Sequence, residues 1–499
     1  MILAAWFGCT PKIDVGTPRA VTAAEPVRVV ARAAADAPNV YFAAWVDAGS
    51  ARDPIGSEGL AALTARSLVE AGAGARDADA VRDALYPTGN GFEVVVSREW
   101  VSVRLRCHRD QAATCAELFV DALTQPRFDA ADVERARDRA IHAVTDGLLG
   151  DEEALAAEVL DAAVYEGHPY GHPVDGRAGV LPLLDAADAA AFHRGHYVRE
   201  GMWVGIAGGY DDVLLADLQR RLEAVPATRG PGPLALVGPA PITGRSLVAV
   251  DTDTPVTGVR FASPTALDRT SPDYPAMWVA VTALGAHRQS FGRMFGAMRA
   301  DRGLNYGDYA YVEPYVERGS PMPEQGVLRQ HNLFSVWIRP TSLENGPFAV
   351  KLAVDEVERW VDHGLTPEEF TDIRAYLRGS LPLLAPDPGR RLAYALDAAA
   401  TGTPDPFETL PAALDALTVE EVNAAIPRNV DLDHALFVAV SGEAQALVDA
   451  LTGEAPTPIV YAPGAADPAN AERDAAVAAR DLGLDPAGCV VVPAEGRFR

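Results

Sequence analysis

The feature that most constrains this chain is that it repeats its own layout. Residues 38 to 53, NVYFAAWVDAGSARDP, read as a strand running into a turn. Residues 57 to 72 read as a helix, with Leu60, Leu63, Ser67 and Leu68 at helical spacing and Gly72 and Gly74 as stop signals. FEVVVSREWVSVRLRC (92 to 107) alternates as a hairpin around Ser97, Arg98 and Glu99. Helices follow at 110 to 124, from about Asp129 to Val144 and from about Asp151 to Tyr165, and the half closes with the strand MWVGIAG (202 to 208) and a helix over 211 to 225. The second half runs in the same order. It has a strand at 255 to 264, a helix from Pro275 to Leu284, a strand at 332 to 340 and a long helix from about Asn345 to Asp362. LTPEEFTDIRAYLRGSL is then the counterpart of FDAADVERARDRAI, and ALFVAVSG (435 to 442) with its following helix ends this half as the first one ended.

Two halves of matching element order imply duplication, and hairpins mixed with long helices imply an α+β chain. The predicted architecture is two duplicated α/β sandwich domains, each a mostly antiparallel sheet with helices packed on one side. The divisions are a leader at 1–27, an N-terminal domain at 28–225, a Pro/Gly-rich linker at 226–245, a C-terminal domain at 246–455 and an extension at 456–499 holding a short helix and the strand CVVVP.

Composition excludes several classes of function. With 499 residues, 48% of them hydrophobic, the chain can bury large cores, and its net charge of −26 opposes nucleic acid and anionic lipid through the overall field. Apolar runs are cut well short of the ~18 residues a membrane span needs. No H-E-x-x-H, C-x-x-C pair, G-x-S-x-G or P-loop occurs, and Gly-Asn-Gly at 89 to 91 precedes a strand as a turn.

The strings VDAGSARDPIGSEGLAAL, LTQPRFDAADVERARDRAI, YEGHPYGHPVDG, FHRGHYVREGMWVGIAGGY, FGRMFGAMRADRGLNYGDYAY and GLTPEEFTDIRAYLRGSL occur in this order. In order and spacing, over 38 to 455, they resemble the insulinase/pitrilysin (inverzincin) family of zinc metallopeptidases, specifically its two-domain members. The resemblance implies a LuxS/MPP-like metallopeptidase architecture. It also implies a site that this chain has lost. Active members carry H-x-x-E-H on the helix after the AGS-R-D turn, two His binding zinc and the Glu polarising water. The aligned positions here are Ala62, Ala65 and Arg66, and the remaining zinc-ligand position falls on Ala143 with Ala136 as its acidic neighbour. The resemblance thus predicts a close-packed, cationic surface in place of the metal.

The second half keeps what the resemblance assigns to substrate: an Arg and a Tyr seven residues apart that reach the peptide backbone and the developing oxyanion. Arg299 and Tyr306 have this spacing, with Gly303 as the helix C-cap that turns Tyr306 back. A surface helix charge and a core aromatic are the plainer alternative. In some bacterial members zinc and the Arg/Tyr pair are divided between subunits, so the resemblance implies a non-zinc subunit that binds peptide and acts in trans on a zinc-bearing homologous partner. No cofactor is expected in this chain, zinc being confined to that partner. Two other readings stay open: a stand-alone peptide-binding or scaffold lipoprotein, and a hydrolase using an unrecognised metal site.

For the last of these the candidates are His168, His172, His193 and His196, set against capping and packing roles. The first nine residues are apolar and end in Gly8-Cys9, which reads either as a plain stub or as the end of a lipoprotein signal with Cys9 as the lipidated residue. The second reading places the protein in the periplasm or cell envelope. Four cysteines make no disulfide framework, but Cys107 and Cys115 form one bridge or remain two buried thiols.

Overall fold

A computed structural model describes residues 26–88, 91–227, 230–232, 234–313, 322–494 and 498. The N-terminal half runs β1 (Arg28–Ala33), β2 (Asn39–Val46), α1 (Leu60–Glu70), α2 (Ala78–Leu85), β3 (Phe92–Val96), β4 (Val101–His108), α3 (Ala112–Thr124), α4 (Ala130–His142), α5 (Glu152–Val164), α6 (Ala186–His196), β5 (Met202–Gly208) and α7 (Asp212–Arg221). The C-terminal half runs β6 (Arg245–Asp251), β7 (Val256–Thr265), α8 (Tyr274–Gly285), β8 (Asp308–Tyr311), β9 (Asn332–Ser342) and α9 (Gly346–His363). It continues with α10 (Pro367–Leu384), α11 (Pro388–Thr401), α12 (Pro406–Ala416), α13 (Val419–Asn429), β10 (Leu436–Ser441) and α14 (Ala444–Thr452), and the tail adds α15 (Ala471–Ala478) and β11 (Leu484–Pro493).

The duplication is visible in the strand orders. The first sheet is β1-β5-β2-β4-β3 and the second β11-β6-β10-β7-β9-β8, so removing β11 leaves two sheets that match strand for strand. Pairing sense matches as well: β1 with β5 and β6 with β10 are parallel, and the other duplicated pairs are antiparallel. The α+β, two-domain reading therefore stands.

One expectation needs correcting. Helices of each half do cover one face of its own sheet, but the opposite face is covered in part by a helix from the other half. α5 lies on β10 and β7 of the second sheet, and its duplicate α11 lies on β5, β2 and β1 of the first. Strand alternation explains how one sheet serves two cores. On β2, Val40, Phe42, Ala44 and Val46 face the N-terminal core while Ala43 and Trp45 face Leu392 and Leu396 of α11. On β10, Leu436, Val438 and Val440 join the core that includes Leu155 and Val159 of α5, while Phe437 and Ala439 face their own helices. The approach of α11 is close: a Cβ at Gly205 of β5 would lie 2.6 Å from Leu392 Cδ1, so any larger residue there would have to displace the Leu392 side chain.

The stretch between the halves is not a free linker, since Leu234, Leu236 and Ile242 pack against the N-terminal core. A second connection, 322 to 331, straps the C-terminal half onto the N-terminal one. Gly326 N donates to Asp397 Oδ1 at 3.0 Å, Trp45 Nε1 donates to the same oxygen at 2.7 Å, and Arg104 Nη2 donates to the Gln325 carbonyl at 3.0 Å. No helix among the described residues is long and apolar enough to cross a membrane. The leader, with Cys9, lies outside the described residues.

Candidate functional site

α1, where the zinc motif is expected, is built as a core helix. Asp53 caps it: its carboxylate accepts from Gly59 N at 2.8 Å and Ala61 N at 2.7 Å. Burial pushes the Asp53 carboxyl up to about 7, against the pull of those two N–H groups. Gly59 has φ +104° and its missing Cβ would lie 2.8 Å from Gly176 Cα, so the loop at 175–176 presses directly on the start of α1. Ala62 and Ala65 are wholly buried. Arg66 is half-buried and ion-pairs with Asp175 at 2.5 Å, which corrects the expected cationic surface: the charge is neutralised within the fold.

Across from α1, Val133, Ala136 and Ala140 are the buried face of α4, and Glu70 and Arg139 pair between the two helices. Ala143 begins a wide, π-helical turn at Ala143–Leu148 and is exposed. Three of the four positions that the resemblance aligns with zinc chemistry are thus methyl groups and the fourth is a paired guanidinium. These residues do not fit a zinc ion, which needs three or four N, S or O ligands. Among the described residues no three His, Cys, Asp or Glu side chains converge on a metal-sized point.

The C-terminal pair is built differently. Arg299 lies in a second π-helical turn, Phe295–Ala300, a rare geometry frequently found at functional positions. Gly303 ends it at φ +62°, with its N–H returning to the Arg299 carbonyl at 2.9 Å and Leu304 N to the Met298 carbonyl at 3.0 Å. This is the C-cap anticipated from Gly303. The reversal brings Tyr306 back onto Arg299: Nη1 donates to the Tyr306 carbonyl at 2.9 Å and the guanidinium carbon sits 4.3 Å from the ring centroid. Tyr306 is 66% exposed, which excludes the plainer alternative of a core aromatic.

Residues that carry no signal in the sequence hold this turn. Asn305 Nδ2 donates to Asp308 Oδ1 at 2.7 Å and to the Arg339 carbonyl at 3.0 Å, and Thr341 Oγ1 donates to the Leu304 carbonyl at 2.8 Å. Asp308 is buried, which pushes its carboxyl up to about 8. Arg339 Nε in turn donates to Glu153 Oε1 at 2.8 Å, tying the turn to α5 of the N-terminal half.

The four histidines do not form one centre. His193 Nε2 donates to the Leu123 carbonyl at 2.9 Å and its ring stacks on Tyr197, and burial pulls its pKa down to about 4. His196 stacks on Phe192, 4.1 Å between centroids. His168 packs against Tyr165, Tyr170 and His331, and His172 is buried against the Pro173 carbonyl. These are packing and capping contacts. Cys107 and Cys115 are both buried, free thiols, and they adjoin each other: a hydrogen bond between them pushes the Cys107 thiol up and favours the thiolate of Cys115.

Comparison with known proteins places this fold in a family. Residues 28–176 match the family model described as insulinase (peptidase family M16), and residues 184–377 match that of the peptidase M16 inactive domain. A protein of Mycobacterium tuberculosis named as an uncharacterized zinc protease is 27% identical over 82% of this chain and 89% of its own length. A Streptomyces coelicolor protein of the same description is 25% identical over 75% and 79%. Among solved structures, a peptidase M16 inactive domain from Pseudomonas fluorescens superposes with a TM-score of 0.74 at 23% identity, covering 83% of this chain and 95% of that one. A Helicobacter pylori protease superposes with a TM-score of 0.73 at 12% identity, covering 84% and 98%.

Proposed function

Because this chain belongs to the insulinase family, peptidase M16, we propose that it is a non-zinc subunit that binds peptide and supplies Arg299 and Tyr306 to the active site of a zinc-bearing homologous partner. The observation that carries this reading is the contrast between the two halves. α1 offers a metal only Ala62, Ala65 and a paired Arg66, whereas Arg299 and Tyr306 are held together at the surface. A guanidinium and a phenol hydroxyl are fixed donors suited to the oxyanion of a tetrahedral intermediate, and they act before any reorganisation is needed. The relatives named as zinc proteases support a peptide substrate for the shared fold. Among the described residues no further strand pairs with the outer edges of β3 and β8, which suits an extended peptide added as one more strand.

The test is reconstitution with a homologue that bears H-x-x-E-H. Arg299→Ala and Tyr306→Phe are expected to assemble normally and to lower peptide turnover by roughly 100-fold or more each, as loss of an oxyanion donor does. Assembly with full turnover by both variants would show that the pair is structural.

A further inference from the structure

A second site lies away from Arg299 and Tyr306, at the ends of the two sheets where the halves meet. There a half-open cavity of ≈ 520 Å³ is walled by Trp100 and Trp203 from the N-terminal half and by Val327 and Leu328 of the strap. This volume falls in the range of small-ligand sites, and its walls are mostly apolar with a few placed polar groups, as such sites are. The two indoles meet edge to face at 5.3 Å and form one continuous aromatic wall.

The charges on the wall are of two kinds. Two of its three arginines are already held by carboxylates, while Arg28 has no carboxylate partner among the described residues. Arg269 is held by Glu313 at 2.8 and 2.9 Å and by Asp397 at 2.7 Å, and Arg329 by Asp161 at 3.2 Å. Several of its carboxylates are held by neutral donors only. Glu99 accepts from Tyr170, from Gln330 N at 2.5 Å and from Gln330 Nε2 at 3.0 Å. Asp268 accepts from Thr270 N at 2.8 Å, Thr270 Oγ1 at 2.6 Å and Ser271 Oγ at 3.0 Å. Glu200 stands exposed at the mouth with no ion pair among the described residues. Hydrogen bonds from neutral groups orient a carboxylate without cancelling its charge, so the field inside is negative. Among the described residues an anionic ligand would meet two saturated arginines and Arg28 as the one unpaired cation, whereas a cation would meet three carboxylates held by no arginine, Glu99, Asp268 and Glu200, beside the indoles.

The chain itself shows what such a wall holds. Arg28, paired in register with Trp203 across β1 and β5, lays its guanidinium 4.7 Å from the Trp203 ring centroid at the rim. We propose that this cavity is a binding site for a cationic side chain, the guanidinium or ammonium of an arginine or lysine residue in a peptide, seated against the wall that Trp100 and Trp203 form together, with Glu99, Asp268 and Glu200 as its counter-charges. The site goes beyond the role given to Arg299 and Tyr306, and none of its residues belongs to that pair.

The experiment titrates the full chain with N-acetyl-arginine amide and N-acetyl-lysine amide, and with the norleucine and glutamate analogues, by tryptophan fluorescence and calorimetry. Saturable binding of the two cationic amides is expected, weakening as ionic strength rises. Glu200→Gln, at an exposed position, is expected to weaken it severalfold and Trp100→Leu by roughly tenfold. Arg299→Ala is expected to bind as the unmodified chain does, so failure of the trans-acting pair leaves this site standing. The proposal is overturned by no saturation at ~10 mM amide, by equal binding of the norleucine analogue, or by an unchanged affinity in Glu200→Gln. Because Glu200 supports nothing in the fold, that last arm decides even where Trp100→Leu fails to fold.

Discussion

Replacing Arg98 by methionine tests whether the seating of α5 on the β3–β4 hairpin rests on buried ion pairs. Arg98 is 1% exposed, its Nη1 donates to the His172 carbonyl, and its Nη2 donates to Glu158 Oε2 and Asp161 Oδ2, both at 3.0 Å. In the variant Asp161 still has Arg329 from the strap, but Glu158 has no other cation among its described partners. Stripping a buried carboxylate of its partner costs about 3–5 kcal/mol. The Glu158 side chain retains 26% exposure, which places this loss near the lower end. The orphaned His172 carbonyl adds roughly 1 kcal/mol, for a total of about 4 kcal/mol. At ~2.1 cal/mol/K per residue, the 499 residues unfold with about 1 kcal/mol per degree, so the melting temperature falls by about 4 °C. The loss depends on pH with a definite sign. Burial holds the Glu158 carboxyl above its usual range even beside Arg98, and removing the guanidinium raises it further. A carboxyl whose folded pKa is raised binds more protons folded than unfolded, so its penalty is absent below the unfolded value of about 4.3 and complete above the folded one. Calorimetry at pH 5 and pH 8 should therefore show the larger deficit at pH 8. A deficit under ~1 °C at pH 8, or one as large at pH 5, would refute the reasoning.

The purified chain is expected to hold no stoichiometric zinc, since Ala62, Ala65, Arg66 and Ala143 supply no ligand; about one zinc per chain surviving dialysis would contradict this. Cys107 and Cys115 are placed to form a disulfide on oxidation, bridging β4 to α3 and adding about 2.5 kcal/mol for so short a loop. Thiol counting on the denatured, unreduced protein should then find two groups fewer than in the reduced chain, and an unchanged count after oxidation would show that the pair stays reduced.

What the sequence disclosed and what it hid follow from the range of the interactions. Strand alternation in 92 to 107, the glycine stops and the repeated element order are local, and β3, β4, α3 and the duplicated strands β5 and β10 appear where they are expected. The Arg299, Gly303, Tyr306 spacing is also local, because one left-handed glycine sets where the tyrosine lands. The exchange of α5 and α11 is not local. α5 reads as an ordinary helix, since the residues it meets, Val438 and Val440, lie far along the chain and alternate like any buried strand. β1 escaped notice for the opposite reason: RVVARA is short and its two arginines mask a strand that pairs only with β5. The strap contacts of Glu99, Gln330 and Asp397 have no periodic signature at all.

The exchange of helices also explains how one half of the family's site can be lost while the other persists. α1 is secured without any metal: eight of its eleven residues are buried, Asp53 caps its start, and Arg66 and Glu70 pair to neighbouring elements. Small side chains at 62 and 65 fill the helix interface, where cavities would otherwise cost about 1 kcal/mol per missing methylene. The Arg299 turn is secured by separate residues, Gly303, Asn305 and Thr341, none of which touches α1. The link from one region to the other runs through α5, whose start is capped by Asp151 and whose Glu153 grips Arg339 in two hydrogen bonds of 2.8 and 3.2 Å. α5 is itself fixed on both sides, by the N-terminal core and by β10 and β7, so changes in α1 stop at a rigid element and do not reach Tyr306. Substitutions in α1 are therefore expected to leave the geometry of the Arg299 turn intact.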